Sequence, residues 1–375
     1  MDLKLTAEQS DFRDTIRRFL EKEAPISSAR ESAQTEAGFD REWWTRATHL
    51  GVAAPLVPEE LGGGSVSGSG VLDLAMIAEE FGASVAPGPL AATNIVLAGL
   101  TMAEHTRPGH ADLIEQLTSG EQIATWAVSE PRLPWAPDDP QLTAKASAAG
   151  FTLDGVKDRV EFGAESDVFL VTARTENGVS QFVVPVGSKG LTVASMVGLD
   201  LARRYAELRF DSVELPTDAL VGLEGEAATV VERQALIAGV LQCAETVGIL
   251  NEVFRFTLEW AFDRYSFGRP LASYQALKHR FADMRTWIEA CAAISSDAAH
   301  AVQNEVRAAE TVSAAKSYIC DVAPRIIQDC VQLHGGIGVT WEHDLHLFLR
   351  RAVANRSQFG TPEDHRRRIA DLIEL

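Results

Sequence analysis

Three groups of residues in the C-terminal half of this 375-residue chain have the types and spacing to do chemistry. The first is Arg264-Tyr265-Ser266-Phe267-Gly268-Arg269-Pro270, with Gln275 just beyond. A guanidinium can fork onto two phosphate oxygens, and a carboxamide can donate to a phosphate or a ribose. The second is Gln332-Leu333-His334-Gly335-Gly336-Ile337-Gly338, where paired glycines remove Cβ atoms and let backbone N–H groups approach a phosphate closely. The third is Glu245, the single charged residue in the otherwise apolar stretch 234–250. A carboxylate there is either a proton acceptor whose pKa burial has raised, or the partner of an Arg from a neighbouring helix. Each group also has an ordinary reading. A Gly-Gly after a helix is commonly a C-cap, an Arg at a helix end is commonly solvated, and a His between helices, such as His334, is commonly a hydrogen-bonded core residue with no catalytic part.

The elements that must position these groups follow from periodicity. Thr6 with Gln9 three residues on, then Phe12, Ile16, Phe19 and Leu20, predicts a capping-box start to an amphipathic helix. Helical spacing returns at 43–50 and 71–81, around the Gly62-Gly63-Gly64 turn, and the Gly/Ser-rich stretch 62–70 reads as a mobile surface loop. Residues 1–120 are therefore expected to be a helical domain. Residues 121–222 carry short β-branched runs such as 168–171 and 182–184, flanking Asn177-Gly178, a hairpin signal that tolerates positive φ at both positions; they predict a small antiparallel β domain. Residues 223–375 return to long helical segments, about 225–263, 275–303, 307–334 and 344–358 with a short terminal helix, which predict a four-helix bundle. The fold class is α+β.

Length and composition bound the function. The chain exceeds the roughly 250–300 residues at which one core stops growing, so two or three subdomains are expected. A net charge of −19 without a basic stripe argues against nucleic acid and anionic membrane as partners, so an anionic ligand must be held by a few placed donors. Met1 to Thr6 lack a signal-peptide stretch, and no later segment reads as apolar over the length of a bilayer span, which makes a cytoplasmic location the expectation. Cys243, Cys291, Cys320 and Cys330 show no Cys-x-x-Cys pairing and no His at ligand spacing, so buried thiols are expected and no metal site.

The two motifs, with Ala276-Leu277-Lys278-His279-Arg280-Phe281, the stretch from Thr340-Trp341 to Leu347, the early turn Val57-Pro58-Glu59-Glu60-Leu61-Gly62-Gly63 and the domain order, resemble the acyl-CoA dehydrogenase family along nearly the whole chain. The resemblance implies FAD as cofactor. Arg264, Phe267, Gln275, Gln332, Gly335 and Gly336 would reach across a dimer interface to the pyrophosphate and adenine end of a neighbouring subunit's FAD. It implies α,β-dehydrogenation of an acyl-CoA thioester, with a carboxylate base and hydride transfer to the flavin, and an electron-transferring flavoprotein as the usual acceptor.

Several positions depart from the family pattern. The Tyr-Glu-Gly-Thr that carries the usual base reads Gln358-Phe359-Gly360-Thr361, and the alternative base position falls on Ala238. Glu245 lies seven residues beyond Ala238, about two turns on and on nearly the same face, and is the replacement candidate; Glu232, beside Arg233, is a weaker one. Ser129-Glu130-Pro131 is followed by Arg132-Leu133-Pro134-Trp135 where the family has Gly-Ser-Asp, and Arg159-Val160-Glu161 replaces a Trp-Ile-Thr that contacts the isoalloxazine. A retained cross-interface clamp beside an altered flavin site predicts one subunit of a heteromeric enzyme acting on bulky CoA thioesters such as steroid side chains. The alternatives are a self-sufficient homo-oligomer using Glu245, and a non-catalytic scaffold.

Overall fold

The computed structural model describes residues 5–35, 37–131 and 134–375; Met1 to Lys4, and Arg132 and Leu133 of the altered turn, lie outside the described residues. Six helices come first: α1 (Ala7–Glu23), α2 (Ile26–Ser32), α3 (Arg41–Thr48), α4 (Gly70–Ser84), α5 (Leu90–Glu104) and α6 (Ala111–Ser119). The capping box at α1 is present, with Thr6 Oγ1 accepting from Gln9 N–H at 3.2 Å and Gln9 Oε1 accepting from Thr6 N–H at 3.1 Å. The glycine-serine stretch expected to be mobile is instead fastened. The fully buried Asp73 carboxylate accepts from Ser65 Oγ at 2.5 Å, Ser67 Oγ at 2.7 Å and Gln9 Nε2 at 2.9 Å. Burying a carboxylate requires such donors, and serines supply them where sequence composition suggested only flexibility.

The strands are β1 (Ala124–Ala127), β2 (Thr143–Ser147), β3 (Gly150–Glu161), β4 (Val168–Thr175), β5 (Gly178–Pro185), β6 (Leu191–Met196), β7 (Tyr205–Pro216) and β8 (Leu220–Val221). Their order is β6-β7-β3-β2-β4-β5-β8, with β1 pairing β4. The sheet is largely antiparallel, but β1 and β2 both run parallel to β4, so the fully antiparallel expectation is corrected. Thr175 pairs with Gly178, which makes Glu176 and Asn177 the loop and leaves positive φ (133°) only at Gly178.

The bundle follows: α7 (Ala228–Asp263), the short hairpin β9 (Tyr265–Ser266) and β10 (Arg269–Pro270), α8 (Gln275–Asn304), α9 (Ala308–His334), α10 (Leu345–Ser357) and α11 (Pro362–Leu372). One expectation fails here. By length and composition α7 does qualify as a membrane span, but 89% of its most apolar window is buried inside the protein, where such a helix serves as a core helix. All four cysteines are free and buried. One apolar core joins the N-terminal helices to the bundle, and a second lies within the sheet.

The joint between the two helical parts is the crossing of α4 and α7. A Cβ placed on Gly82 would lie 2.0 Å from the Glu245 carbonyl oxygen, and one on Gly248 would lie 1.9 Å from that of Glu79. The two backbones therefore touch, each through the other's glycine. Gly248→Ala is expected to destabilise the protein by about 1–3 kcal/mol, since a rigid backbone cannot give way as a flexible side chain would. An unshifted urea midpoint would show the crossing to be looser than this.

Candidate functional site

Antiparallel alternation brings the C-terminus of α7, the N-terminus of α8 and the C-terminus of α9 to one pole of the bundle. Arg264 follows α7, Phe267 sits on the β9–β10 turn, Gln275 opens α8, and Gln332 to Gly336 close α9. The Arg264 guanidinium lies 5.8 Å from the centre of the Trp260 ring, and the same indole stacks on His334 at 5.1 Å, which ties the two motifs together. Arg264 is exposed and, among the described residues, forms no ion pair. No side chain caps the 30-residue α8, whose first turn carries no acidic residue, so its N–H groups and dipole suit an anion. The Gln275 carboxamide rests on His279 Nε2 at 3.2 Å. Gly335 takes φ +67°, and a Cβ there or at Gly336 would meet nothing of this chain within 4 Å, so the space the glycines leave faces outward. Phe267 is 97% exposed and holds φ +49°, a conformation that costs on the order of 1–3 kcal/mol for a bulky residue. Around it Phe262, Tyr265, Val339 and Trp341 are also exposed. These donors fit a diphosphate approached from outside the chain, with an apolar surround for a ring system.

Glu245 stands elsewhere, halfway along α7. Its carboxylate accepts from Arg203 Nη2 at 2.7 and 2.9 Å, Arg351 Nη1 at 2.8 Å and Asn355 Nδ2 at 2.8 Å. Arg351 also pairs with Asp200, while Arg203 Nη1 donates to Asn355 Oδ1 at 2.8 Å and its Nε lies 3.4 Å from Glu161. All of these residues are buried. Burial alone would push the Glu245 carboxyl up, but the Arg203 and Arg351 guanidiniums, with hydrogen bonds from Arg203 and Asn355, hold it down at about 2. Of the two readings the sequence left open, these contacts are those of a carboxylate paired with arginines. Three donor groups make four hydrogen bonds to its oxygens, and a carboxylate titrating near 2 has little drive to take a proton from carbon. The cavity beside it, lined by Phe81, Leu90, Glu161, Arg203, Leu241 and Glu245 among others, holds about 20 Å³, the space of one water. Ala238 does not line it. The weaker candidate, Glu232, pairs with Arg368.

The third group is the set of positions where the resemblance expects isoalloxazine contacts. Phe359, at the usual base position, stacks on Trp126 at 6.1 Å and meets Trp135 edge-on at 5.7 Å. Arg159 takes φ +50° and donates to the Glu130 carbonyl at 2.8 Å and to Asp158 at 2.8 Å. Glu161 belongs to the ionic cage, and desolvation raises its carboxyl pKa against the pull of Arg203. What remains is a cleft of about 210 Å³ lined by Val128, Ser129, Trp135, Arg159, Gln358 and Phe359 among others. The aromatic plug and the caged carboxylate do not fit a flavin ring held by this chain's own β domain. The outward pole does fit the diphosphate of a dinucleotide held by a neighbour.

The sequence reading found Glu245 and Glu161 but missed Asp200, Arg203, Arg351 and Asn355. A signal existed for the last two, which sit four apart on α10 among apolar residues and so share a face turned to the core. None existed for Asp200 and Arg203, which a loop delivers. His334 is a core residue as expected, its Nε2 3.2 Å from Thr257 Oγ1.

Among known proteins, the family models described as "Acyl-CoA dehydrogenase, N-terminal domain" and "Acyl-CoA dehydrogenase, C-terminal domain" match residues 6–121 and 229–373. Acyl-CoA dehydrogenase IpdE2 of Mycobacterium tuberculosis is 29% identical over 98% of this chain and 97% of its own. The structure of PigA with FAD and proline superposes with a TM-score of 0.91, at 25% identity over 100% of both chains. The ChsE4-ChsE5 complex from Mycobacterium tuberculosis gives 0.88 at 26% identity, over 100% of this chain and 99% of that one.

Proposed function

Because the chain belongs to the acyl-CoA dehydrogenase family of oxidoreductases, we propose that it is the clamp-lending subunit of a heteromeric, FAD-dependent acyl-CoA dehydrogenase, gripping the far end of its partner's flavin. The single observation that carries this reading is the Glu245 cage, which closes the cavity beside α7 to about 20 Å³ and takes the one buried candidate base out of use. The open pole supports the complementary half. Arg264, Gln275, Gln332 and the Gly335-Gly336 turn would hold the diphosphate of a homologous partner's FAD, and Phe267 would pack against its adenosine. Bound flavin supplies hydride acceptance; this chain's residues bind and orient the far end of the cofactor. The acyl-CoA thioester and its base would then belong to the partner, and an electron-transferring flavoprotein would take the electrons. The likeness to a chain of the ChsE4-ChsE5 complex supports pairing of two different subunits. The exposed, strained Phe267 favours this reading over an inert scaffold, since an apolar ring in that conformation is sustained by something that covers it.

The test is turnover with an artificial electron acceptor and a series of acyl-CoA thioesters. The chain alone is expected to give none, and the chain co-expressed with a homologous subunit that keeps the Tyr-Glu-Gly-Thr base is expected to give robust turnover. Activity of the isolated chain would overturn the reading.

A further inference from the structure

On the face of the bundle turned toward the N-terminal helices lies a cavity of about 600 Å³ that the cage does not use and that borders the clamp at Trp260 and His334. One wall is a run of contiguous rings. Phe256 is central, with His334 at 5.9 Å, His343 at 6.0 Å and Phe348 at 5.7 Å, and Trp260 stacks on His334. The opposite wall is aliphatic, with Leu20, Ala24 and Ile26 from α1 and α2 and their junction, and Ala83 from α4.

The acceptors of the lining point to a donor ligand, alongside one buried donor without a partner, Trp260 Nε1–H, and the Arg255 guanidinium on the rim. Thr257 spends its only hydroxyl hydrogen on the Val253 carbonyl at 2.6 Å, so its oxygen must accept from His334 Nε2–H. His334 Nδ1 is therefore a bare lone pair; the atom is itself buried and has no hydrogen-bond partner, in a residue that lines the cavity. His343 Nδ1 likewise accepts, from Leu345 N–H at 3.2 Å. Burial, aided by the neighbouring His343, pushes His334 down to about 4, and burial lowers His343 as well, so both rings stay neutral at physiological pH. Four carboxylates lie on the rim. Glu252 is bound by Arg255 at 2.6 Å, which also holds Glu259, and Asp344 is bound by Arg30 at 2.8 Å. Glu21 and Asp263 form no salt bridge among the described residues. Aromatic faces, a bare imidazole nitrogen and surplus negative charge favour a cation with an N–H to give.

We propose that this cavity is a binding site for a small organic ammonium ion, a protonated amine carried on an apolar, ring-bearing body. The ring lies in the slot between the Phe256 wall and the aliphatic wall. The ammonium group sits toward His334, under the field of Glu21 and Asp263. Arg264, Gln275 and the glycine turn do not line this site, but it shares Trp260 and His334 with the clamp, so binding is measured on the chain without flavin.

The probe is 2-phenylethylammonium, titrated calorimetrically into the full-length protein at pH 7.5, with the neutral isostere 3-phenylpropan-1-ol as control. Saturable one-to-one binding of the amine, at least about tenfold tighter than the alcohol, is expected. Phe256→Leu should weaken the amine by about tenfold. Should that variant fold poorly, the surface double variant Glu21→Gln with Asp263→Asn should weaken the amine several-fold and leave the alcohol unchanged. No saturable binding of the amine, or equal binding of amine and alcohol, would overturn the proposal.

Discussion

Glu245→Gln is expected to cost about 3–5 kcal/mol of folding stability, because it leaves two buried guanidiniums short of a counter-charge. Arg203 and Arg351 are 6% and 2% exposed and cannot turn to water without unpacking the joint between α7, α10 and the loop before β7. A catalytic base behaves otherwise. Its conversion to Gln removes turnover and leaves the melting curve in place, so chemical denaturation separates the two roles. The sign of the pH effect follows from the depressed carboxyl. A group held at about 2 in the fold against 4.5 unfolded adds stability that is fully present above about pH 4.5 and is lost as pH falls through about 2. The wild type should therefore lose stability over that acid window, and the Gln variant should lose much less. A second variant guards the reading. Replacing the whole cluster, Glu245, Arg203 and Arg351 together with their partners Asp200 and Glu161, by apolar residues of similar volume should recover most of the loss, since such groups can replace a buried ion cluster.

Arg264→Ala is expected to lower the flavin affinity of the assembled complex by about 10- to 100-fold, the worth of a charge-assisted hydrogen-bonded contact of roughly 1.5–3 kcal/mol. The fold should not change, because the side chain is exposed and leaves only the Trp260 face. Equilibrium dialysis of FAD against the purified pair, with melting of the apo pair as the control, measures both. Arg264→Lys should restore only part of the affinity, since an ammonium keeps the charge and loses the fork. Full flavin affinity in the Ala variant would mean that the pole holds no cofactor.

Much of the fold was legible because periodicity and caps are local. The capping box at Thr6 and Gln9 and the spans of the long helices follow from residues within a turn or two of one another. The parallel placement of β1 was not legible, because it depends on where a crossover returns and not on any property of Ala124 to Ala127. The site divides the same way. Arg264, Gln275 and the Gly335-Gly336 turn could be placed together from helix order alone. The role of Glu245 could not, since the choice between a raised and a depressed carboxyl lies in Arg203, 42 positions away, and Arg351, 106 positions away. The aromatic plug of Trp126, Trp135 and Phe359 is of the same kind, three rings from separate segments whose meeting no spacing announces.

The most direct measurement is the molar ratio of FAD to polypeptide, from flavin absorbance and quantitative amino-acid analysis, for the chain alone and for its purified complex with a homologous catalytic subunit. The expected values are essentially no flavin on the isolated chain and one flavin for every two polypeptides in the complex. One flavin on every polypeptide, or a fully loaded isolated chain, would contradict a subunit that lends its pole and hosts no isoalloxazine of its own.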